Sequence, residues 1–350
     1  MVDDQAPGEH VVVTGVSGFL GQRLLPLLDA NPRVDRIIGL DTRDPARQAR
    51  KLEFHRVDVL TGPIASYMRG ATVVVHLAAV IGPTLDEAMM TRVNVDGTKK
   101  VLDAASECGA RRVVRPSSTA VYGAWANNPV PLTEDAPLRP SPGFLPAILD
   151  AECERLLGQW ANAQPGRIAT RLRIAPVVGA GTPSLFASIA SGHGSVRVRA
   201  TTPPVQVVHV DDAASALDLA ATQELDGVFN VAADGWLTSE EAAALMPARR
   251  VPGVPYEIAE RVLTATWNTG WGDAPPAVLP YLVHPWVVAN DRIKAMGWKA
   301  RHANDEAILL GSPGVETPLW PWIAGAGAVT AGIALGTWWL KRARRGRGRN

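Results

Sequence analysis

Three glycines at three-residue spacing follow the first apolar run of the chain. Gly15 closes the segment VVVTG, which is predicted to be a strand, and Gly18 and Gly21 open a predicted helix. Glycine at these positions allows a tight turn, close approach of a pyrophosphate and close helix–strand packing, while the helix N-terminus offers free N–H groups. The pattern therefore predicts a loop that binds the phosphates of a dinucleotide.

An acidic residue ends the second predicted strand, RIIGLD. This residue, Asp41, lies 20 positions beyond Gly21, where a carboxylate can accept a hydrogen bond from a ribose hydroxyl and repel a 2′-phosphate. Asp41 therefore favours NAD over NADP. Arg43 could pair with a 2′-phosphate, so NADP stays open as the less favoured cofactor.

Apolar strands and predicted helices alternate along the N-terminal half of the chain. The strand-like runs are VVVTG, RIIGLD, LEFHRVDV, TVVVHLAA and RRVVRPSS. Such alternation predicts an α/β fold of the Rossmann type, a doubly wound parallel sheet covered on both faces. We expect a Rossmann domain over residues 10–182, with a helix at 145–162, and a smaller C-terminal substrate lobe at 183–310 whose chain partly returns to the sheet.

Further motifs resemble those of the extended short-chain dehydrogenases/reductases, in the NAD-dependent epimerase/dehydratase group. Besides the glycine loop, the segments that carry the resemblance are Asp58–Val59, His76–Ala79, Asn94–Thr98, Ser117–Gly123, Arg173–Gly179, His209–Asp212 and Phe229–Ala232. The resemblance covers roughly residues 10–310. It implies NAD as the cofactor and a small-molecule substrate, such as a nucleotide sugar or a lipid-like alcohol.

The resemblance also implies which residues form the site. Those implied to contact the cofactor are Gly15, Ser17, Gly18, Phe19, Leu20, Gly21, Asp41, Arg43, Asp58, Val59, Leu77, Ala78, Ala79, Asn94, Ser117 and Pro176. Ser118 falls at the catalytic Ser/Thr position, and Asn94 would steady the backbone of the site. A serine at the end of a strand can equally be a satisfied turn residue, so both interpretations of Ser118 stay open.

The helix after the serine motif departs from the family. Members carry Tyr and Lys four residues apart there, so that both lie on one helix face; the tyrosine moves a proton and the lysine lowers its pKa. Glu152 matches a frequent acidic position of the family, and this register puts Phe144 in place of the Tyr and Ile148 in place of the Lys. None of the four tyrosines precedes a lysine by four residues, so no other register restores the pair.

Two functions follow from this departure. The first is an enzyme whose redox or epimerase activity is impaired or unconventional, with a replacement acid such as Ser118 with Tyr122, Glu152 or a group of the substrate. The alternative is a non-catalytic NAD-binding regulatory or scaffold protein at a membrane.

Composition disfavours several other classes of function. The formal net charge is +1 and no basic stripe occurs in the folded part, so no nucleic acid is expected as a partner. Two cysteines cannot build a metal site. His209 with Asp211 and Asp212 is interpreted as a structural turn, so no metal is expected. The sequence leaves a homo-oligomer open.

The C-terminal part of the chain is apolar. After a linker at 311–318, residues 319–340 contain no charge over 22 positions, which at about 1.5 Å per residue is long enough for a bilayer core. Tryptophans lie near both ends, and a basic tail follows at 341–350. We expect a transmembrane helix at 319–340.

The orientation of this segment is ambiguous. The polar N-terminus is not a signal peptide, so a membrane-anchored protein with its catalytic domain facing the cytoplasm is expected. A single span would then place the basic tail outside, although the positive-inside rule would keep it in the cytoplasm. A shallow hairpin is therefore the alternative to a full span.

Overall fold

β-branched segments form a parallel sheet in the computed structural model, which describes residues 8–180, 182, 185, 198–199, 201–245 and 253–311. The strands of this sheet are β1 (Glu9–Thr14), β2 (Val34–Asp41), β3 (Leu52–Arg56), β4 (Val73–His76), β5 (Arg112–Ser118), β6 (Ile168–Ile174) and β9 (Gly227–Val231). Their order is β3-β2-β1-β4-β5-β6-β9, and every pair is parallel. From β1 the next strands along the chain, β2 and β3, are added on one side, and β4 and the later strands are added on the other, so the strand order switches between β1 and β4. The predicted Rossmann-type α/β fold is thereby confirmed.

Two short strands, eleven α-helices and three short helical turns complete the described elements; the turns are π-helical at Arg92–Asp96 and 3₁₀ at Thr119–Tyr122 and Pro276–Val278. The strands are β7 (Val177–Val178) and β8 (Val208–His209), which pair parallel to each other. The helices are α1 (Phe19–Ala30), α2 (Ile64–Tyr67), α3 (Glu87–Thr91), α4 (Gly97–Glu107), α5 (Leu145–Asn162), α6 (Val210–Thr222), α7 (Ser239–Leu245), α8 (Tyr256–Asn268), α9 (Leu279–Val283), α10 (Asp291–Ala295) and α11 (Asn304–Gly311). Helix α5 covers the range predicted for it.

Alternating side chains of the strands build a core on each face of the sheet. Val11 and Val13 of β1 pack with apolar residues of α1 and α6. Val12, between them, packs on the other face with residues of α2, α4 and α5. Because successive side chains of a strand point to opposite faces, continuous apolar strands need helices on both sides.

The range 183–310, predicted to form a smaller lobe, contributes to two parts of the structure. Strand β9 joins the sheet beside β6, and α6 packs on α1. Helices α8 and α9 belong to a separate apolar cluster, which also contains Phe144 and Ala147 from the start of α5. This cluster brings the C-terminal helices against the helix that carries the departure from the family.

The predicted transmembrane helix and basic tail, and the predicted linker after Gly311, lie outside the described residues. Within the described ranges, no helix is long and apolar enough to cross a membrane.

Candidate functional site

The glycine loop forms a backbone cradle at the carboxyl end of β1. Gly15 has a φ of +72°, and a Cβ there would lie 2.6 Å from the backbone nitrogen of Ala78. A Cβ on Gly21 would lie 2.5 Å from the carbonyl oxygens of Gly15 and Val16. Gly18 precedes the first residue of α1, so Phe19 and Leu20 form its first turn. The residues present therefore fit a pyrophosphate above a helix N-terminus.

Asp41 is held beside this loop at the end of β2. One carboxylate oxygen accepts from the backbone N–H of Ser17 and the other from that of Arg43, each at 3.0 Å. The hydroxyl of Ser17 donates to the carbonyl of Arg43 at 2.6 Å. Each carboxylate oxygen retains a lone pair for a ribose hydroxyl. Asp41 is buried and Arg43 is exposed, so the acid, rather than the guanidinium, has a fixed place at the loop.

The segment after β4 is held by two neighbouring elements. Thr14 of β1 accepts from the N–H of Leu77 through its carbonyl and from that of Ala78 through its hydroxyl. Asn94 lies in a π-helical turn before α4, and its amide binds both backbone groups of Val80, at 2.8 and 3.1 Å. Asn94 therefore steadies the segment that contains Leu77, Ala78 and Ala79.

A buried histidine, not singled out as functional in the sequence, connects these two elements. His76 lies between the hydroxyls of Thr14, 2.7 Å from Nδ1, and Thr98, 3.1 Å from Nε2. Thr98 donates in turn to the carbonyl of Asn94 at 2.5 Å. Burial lowers the pKa of His76 to about 3, with Arg115 adding to the effect. His76 is therefore neutral near pH 7 and acts as a link between β1 and α4. The sequence feature that could have identified His76 is its place at the start of the segment His76–Ala79, which resembles the family.

The remaining predicted cofactor residues lie at other strand ends. Asp58 follows β3 and is exposed, and its carboxylate accepts from the N–H of Leu60 at 2.7 Å. Val59 is buried in the core between the sheet and α2, α4 and α5. Pro176 lies between β6 and β7, and its carbonyl accepts from the N–H of Val208 at 3.0 Å. β3 and β6 both belong to the parallel sheet, so these residues lie at the same edge as the glycine loop.

The two serines that end β5 have different partners. Ser118 accepts from the N–H of Ala120 at 3.1 Å and caps the short 3₁₀ turn Thr119–Tyr122. Ser117 is buried, and its hydroxyl donates to Glu154 of α5 at 2.6 Å. Ser118 is half-buried, so its hydroxyl is the more accessible of the two.

Glu154 is the centre of a buried polar network that links α5 to β6. Arg173 binds its carboxylate through Nη2 at 2.7 Å and Nε at 3.0 Å, and both side chains are almost fully buried. Arg173 also donates to the hydroxyl of Tyr122 at 2.8 Å, and Tyr122 donates to Asn230 at 2.7 Å. Burial raises the pKa of Tyr122 to about 12. Tyr122 is therefore a structural partner and a poor proton donor.

A second, partly buried ion pair lies under the same helix. Arg115 of β5 donates through Nη1 and Nη2 to one carboxylate oxygen of Asp150, at 3.1 Å each. Burial raises the pKa of Asp150 above its ordinary value, against the opposing effect of Arg115. Neither pair was predicted, because each joins residues distant in the sequence. Each of the two pairs joins a carboxylate of α5 to an arginine of the sheet.

The two positions at which the family resemblance implies Tyr and Lys lie at the start of α5. Phe144 is the residue at the N-cap position of the helix. Its side chain is buried, and its ring centroid lies 5.0 Å from that of Tyr281. Ile148 lies one turn later, its N–H bonded to the carbonyl of Phe144, and is 38% exposed. Neither side chain has a proton to exchange. Glu152 lies on the outer surface in an ion pair with Arg155.

His209 has structural contacts. Its Nδ1 accepts from the N–H of Asp211 at 3.3 Å at the start of α6, and its ring lies 4.1 Å from that of His302. Asp212 accepts from the backbone N–H groups of Arg301 and His302. In the part of the chain that the structure describes, no group of three or more potential metal ligands occurs.

A glycine cradle, an acid at the end of β2 and a switch in strand order define the class of a dinucleotide-binding Rossmann protein. The model of the NAD-dependent epimerase/dehydratase family matches residues 11–232, and the chain belongs to this family. The predicted family is thereby confirmed, and NAD, the predicted cofactor, is the one on which this family depends.

Individual relatives and solved structures are similar to this chain at identities between 22% and 33%. An uncharacterized protein of Mycobacterium tuberculosis is 33% identical over 254 residues, which is 69% of this chain and 66% of that protein. This chain thus spans slightly under two thirds of the length of that Mycobacterium protein. The UDP-glucose 4-epimerase of Thermus thermophilus, solved with NAD, has a TM-score of 0.65 at 24% identity and covers 87% of this chain and 97% of its own. The protein MoeE5, solved with UDP-glucose and NAD, has a TM-score of 0.65 at 22% identity, with 86% and 97% covered. These two structures share the fold.

Proposed function

We propose that this chain is a membrane-anchored NAD(H)-binding protein of the epimerase/dehydratase family whose proton-transfer step is lost or depends on an unconventional group. The observation that carries the proposal is the pairing of an intact cofactor cradle with Phe144 and Ile148 at the Tyr and Lys positions. Activity on a nucleotide sugar or a similar alcohol is then impaired.

Cofactor binding is supported by the loop and by Asp41. The cradle of Gly15, Gly18 and Gly21 admits a pyrophosphate, and the fixed carboxylate of Asp41 lies where a ribose hydroxyl would donate. Bound NAD would supply the hydride acceptor, and NADH the donor. Asn94 and His76 would keep the backbone beside the nicotinamide in place.

Proton transfer has no conventional residue at its usual position. General acid–base catalysis contributes about 10²–10⁴-fold, so the loss of Tyr and Lys reduces turnover by a factor of this order. Ser118 is half-buried and lies at the catalytic serine position, and we infer that it can orient a substrate oxygen. Tyr122 already donates to Asn230, and Glu154 is paired with Arg173.

The activity test uses the substrate named in the two solved structures, UDP-glucose, with NADH binding measured in parallel by fluorescence. The double change Phe144→Tyr with Ile148→Lys should raise turnover by about 10²-fold or more. Ile148→Lys alone is the matched control and should not, because Phe144 stays in place and no phenolic hydroxyl is supplied at the position of the family's tyrosine. Wild-type turnover within the ordinary enzyme range of about 1–10³ s⁻¹ would show that another acid has taken over. NADH binding without turnover in any variant would favour the regulatory or scaffold role.

Membrane anchoring is supported by the sequence of residues 319–340, and we propose that the folded domain faces the cytoplasm. Full-length protein should sediment with membranes, and a chain ending at residue 312 should stay in the soluble fraction. A full-length protein that stays in solution without detergent would exclude the anchor.

The topology of the anchor can be decided separately. The tail carries six basic residues, Lys341, Arg342, Arg344, Arg345, Arg347 and Arg349, and moving each outward against the membrane potential costs about 2.3 kcal/mol per 100 mV. An added C-terminal cysteine labelled only from inside supports a hairpin. Labelling from outside supports a full span.

A further inference from the structure

A polar cleft lies between the ends of α1 and α6, on the face of the sheet opposite α5. Its walls are the turn Asn31–Arg33 after α1, the second half of α6 from Ser215 onwards, and the segment 297–301 after α10. The volume is about 770 Å³, which is in the ordinary range for a small-molecule site, about 300–1,000 Å³. Because β2 begins at Val34, directly after the turn, the cleft lies at the amino edge of the sheet. The glycine cradle lies at the carboxyl edge.

Three basic side chains line this cleft. They are Arg33, Lys299 and Arg301, and all three residues are exposed. Among the described residues, no carboxylate oxygen lies within 4 Å of their charged nitrogens, and Lys299 acts on Asp234 only at longer range. Arg33 reaches the carbonyl of Thr222 through Nη1 at 3.4 Å. The cleft therefore gathers positive charge that the described part of the chain does not neutralise by direct ion pairs.

One carboxylate lies in the wall that α6 forms. Asp218 is half-buried, and both of its oxygens lie 3.3 Å from the Nδ2 of Asn31. Burial raises the pKa of Asp218 above its ordinary value, against the opposing effect of this hydrogen bond. An ionised carboxylate accepts about four hydrogen bonds, and among the described groups only the Asn31 amide donates to this one. Asp218 therefore retains acceptor capacity for a ligand in the cleft.

The backbone that carries the basic residues is held in place. Trp298 donates through Nε1 to the hydroxyl of Ser215 at 2.9 Å, and Asp212 accepts from the N–H of Arg301 at 3.0 Å. Both contacts fix the segment 297–301 against α6. The turn Asn31–Arg33 is closed by a bond of 3.0 Å from its last N–H to the side-chain oxygen of its first residue. A wall that is already ordered lowers the entropy cost of binding.

We propose that this cleft binds a small phosphate ester that carries hydroxyl groups, a ligand additional to the cofactor and substrate of the proposed function. Arg33, Lys299 and Arg301 would hold the phosphate, because guanidinium and ammonium groups form strong, charge-assisted hydrogen bonds with it. Asp218 would accept from the hydroxyl groups. A bare inorganic anion gains nothing from this carboxylate and is repelled by its charge, so the wall selects the ester.

The test is calorimetric titration of the full-length chain in detergent, saturated with NADH, with glucose 6-phosphate as the probe. UDP-glucose should not displace the probe, because the cleft lies at the opposite edge of the sheet from the cofactor cradle. The double change Lys299→Ser with Arg301→Ser should weaken binding about tenfold or more, since it removes two charged donors to the phosphate. The matched control is Lys99→Ser with Arg155→Ser. It removes the same two side-chain types from exposed positions of α4 and α5, on the other face of the sheet, and should leave the affinity unchanged.

The change Asp218→Asn separates recognition of hydroxyl groups from simple attraction of charge. Wild-type protein should prefer glucose 6-phosphate to inorganic phosphate by about tenfold. The variant should lose most of this preference, because it exchanges an ionised acceptor for an amide and removes the charge that repels inorganic phosphate. Thermal unfolding of each variant shows whether it is folded, and the exposed Lys299 and Arg301 pair decides the matter if Asp218→Asn is not.

Three results would overturn the inference. They are equal affinity of the wild type for the two probes, an unaltered affinity in the Lys299 and Arg301 variant, and displacement of the probe by UDP-glucose. A lack of saturable binding up to about 10 mM ester would do the same. NADH binding, recorded by fluorescence in the same sample before the titration, reports on the proposed function alone, so the two failures are distinguishable.

Discussion

Replacing Glu154 by glutamine should destabilise the fold strongly, although the side chain keeps its size. Glu154 accepts from Arg173 at 2.7 and 3.0 Å and from Ser117 at 2.6 Å, and its side chain is 4% exposed. Removing the charge leaves the Arg173 guanidinium buried beside neutral acceptors, namely the amide oxygen of the new glutamine, the Tyr122 hydroxyl and the Glu134 carbonyl. Breaking one partner of a buried pair costs about 3–5 kcal/mol.

That cost is large beside the total stability of a protein, which is about 5–15 kcal/mol. For a chain of about 300 residues it corresponds to a fall in Tm of roughly 5–8 °C. Thermal and urea unfolding of residues 1–312, followed by circular dichroism, measure it. The matched control is Asp96→Asn, the same carboxylate-to-amide change in an exposed pair with Lys99, which should cost less than about 0.5 kcal/mol.

A second variant tests whether the cost comes from the unpaired cation. Changing both partners, Glu154→Leu with Arg173→Met, should recover much of the loss, because replacing both members of a buried pair by apolar groups is often nearly neutral. The reasoning is refuted if Glu154→Gln costs less than about 1 kcal/mol, or if the double variant is less stable than the single one.

Two further predictions concern residues that support the cofactor site, Asp41 and His76. Asp41→Ala should weaken NADH binding by about tenfold and lower the discrimination against NADPH by a similar factor, because the variant loses a ribose acceptor and a charge that repels a 2′-phosphate; parallel titrations with NADH and NADPH check this, and an unchanged ratio would contradict it. The pKa of His76 is about 3 in the fold against an ordinary 6.5, so between these values the unfolded chain binds a proton that the native state does not, and stability falls as pH falls. Unfolding free energy should drop by about 2.5 kcal/mol from this group between pH 7 and 4.5, and His76→Gln should flatten that part of the pH profile in urea titrations.

The features predictable from the sequence depend on local pattern. The glycine spacing, the β-branched strands and the limits of α5 follow from turns, alternation and helix periodicity within a few residues of each other. Pro146 occupies an early position of α5 that tolerates proline. The parallel sheet follows because strands that alternate with helices have few other arrangements.

The buried ion pairs could not be predicted in the same way. Glu154 meets Ser117 across 37 positions and Arg173 across 19, and arginines in a sequence are usually solvated at the surface. Arg173 could equally have been a phosphate ligand on sequence grounds. Only the packing of α5 on β5 and β6 decides that it serves as the partner of Glu154.

Loss of the Tyr–Lys pair affects the two halves of the family's chemistry unequally. Hydride exchange with bound NAD(H) depends on holding the two reacting carbons in place, a task of the cradle, Asp41 and the segment held by Asn94. Proton exchange needs a group in reach of the substrate oxygen with a pKa near the working pH. Around the start of α5, the titratable groups described above have other partners: Tyr122 binds Asn230, Glu154 binds Arg173, and Asp150 binds Arg115. If the proposed loss of the proton-transfer step holds, we expect reactions in which the substrate or the solvent supplies the proton to be the least affected.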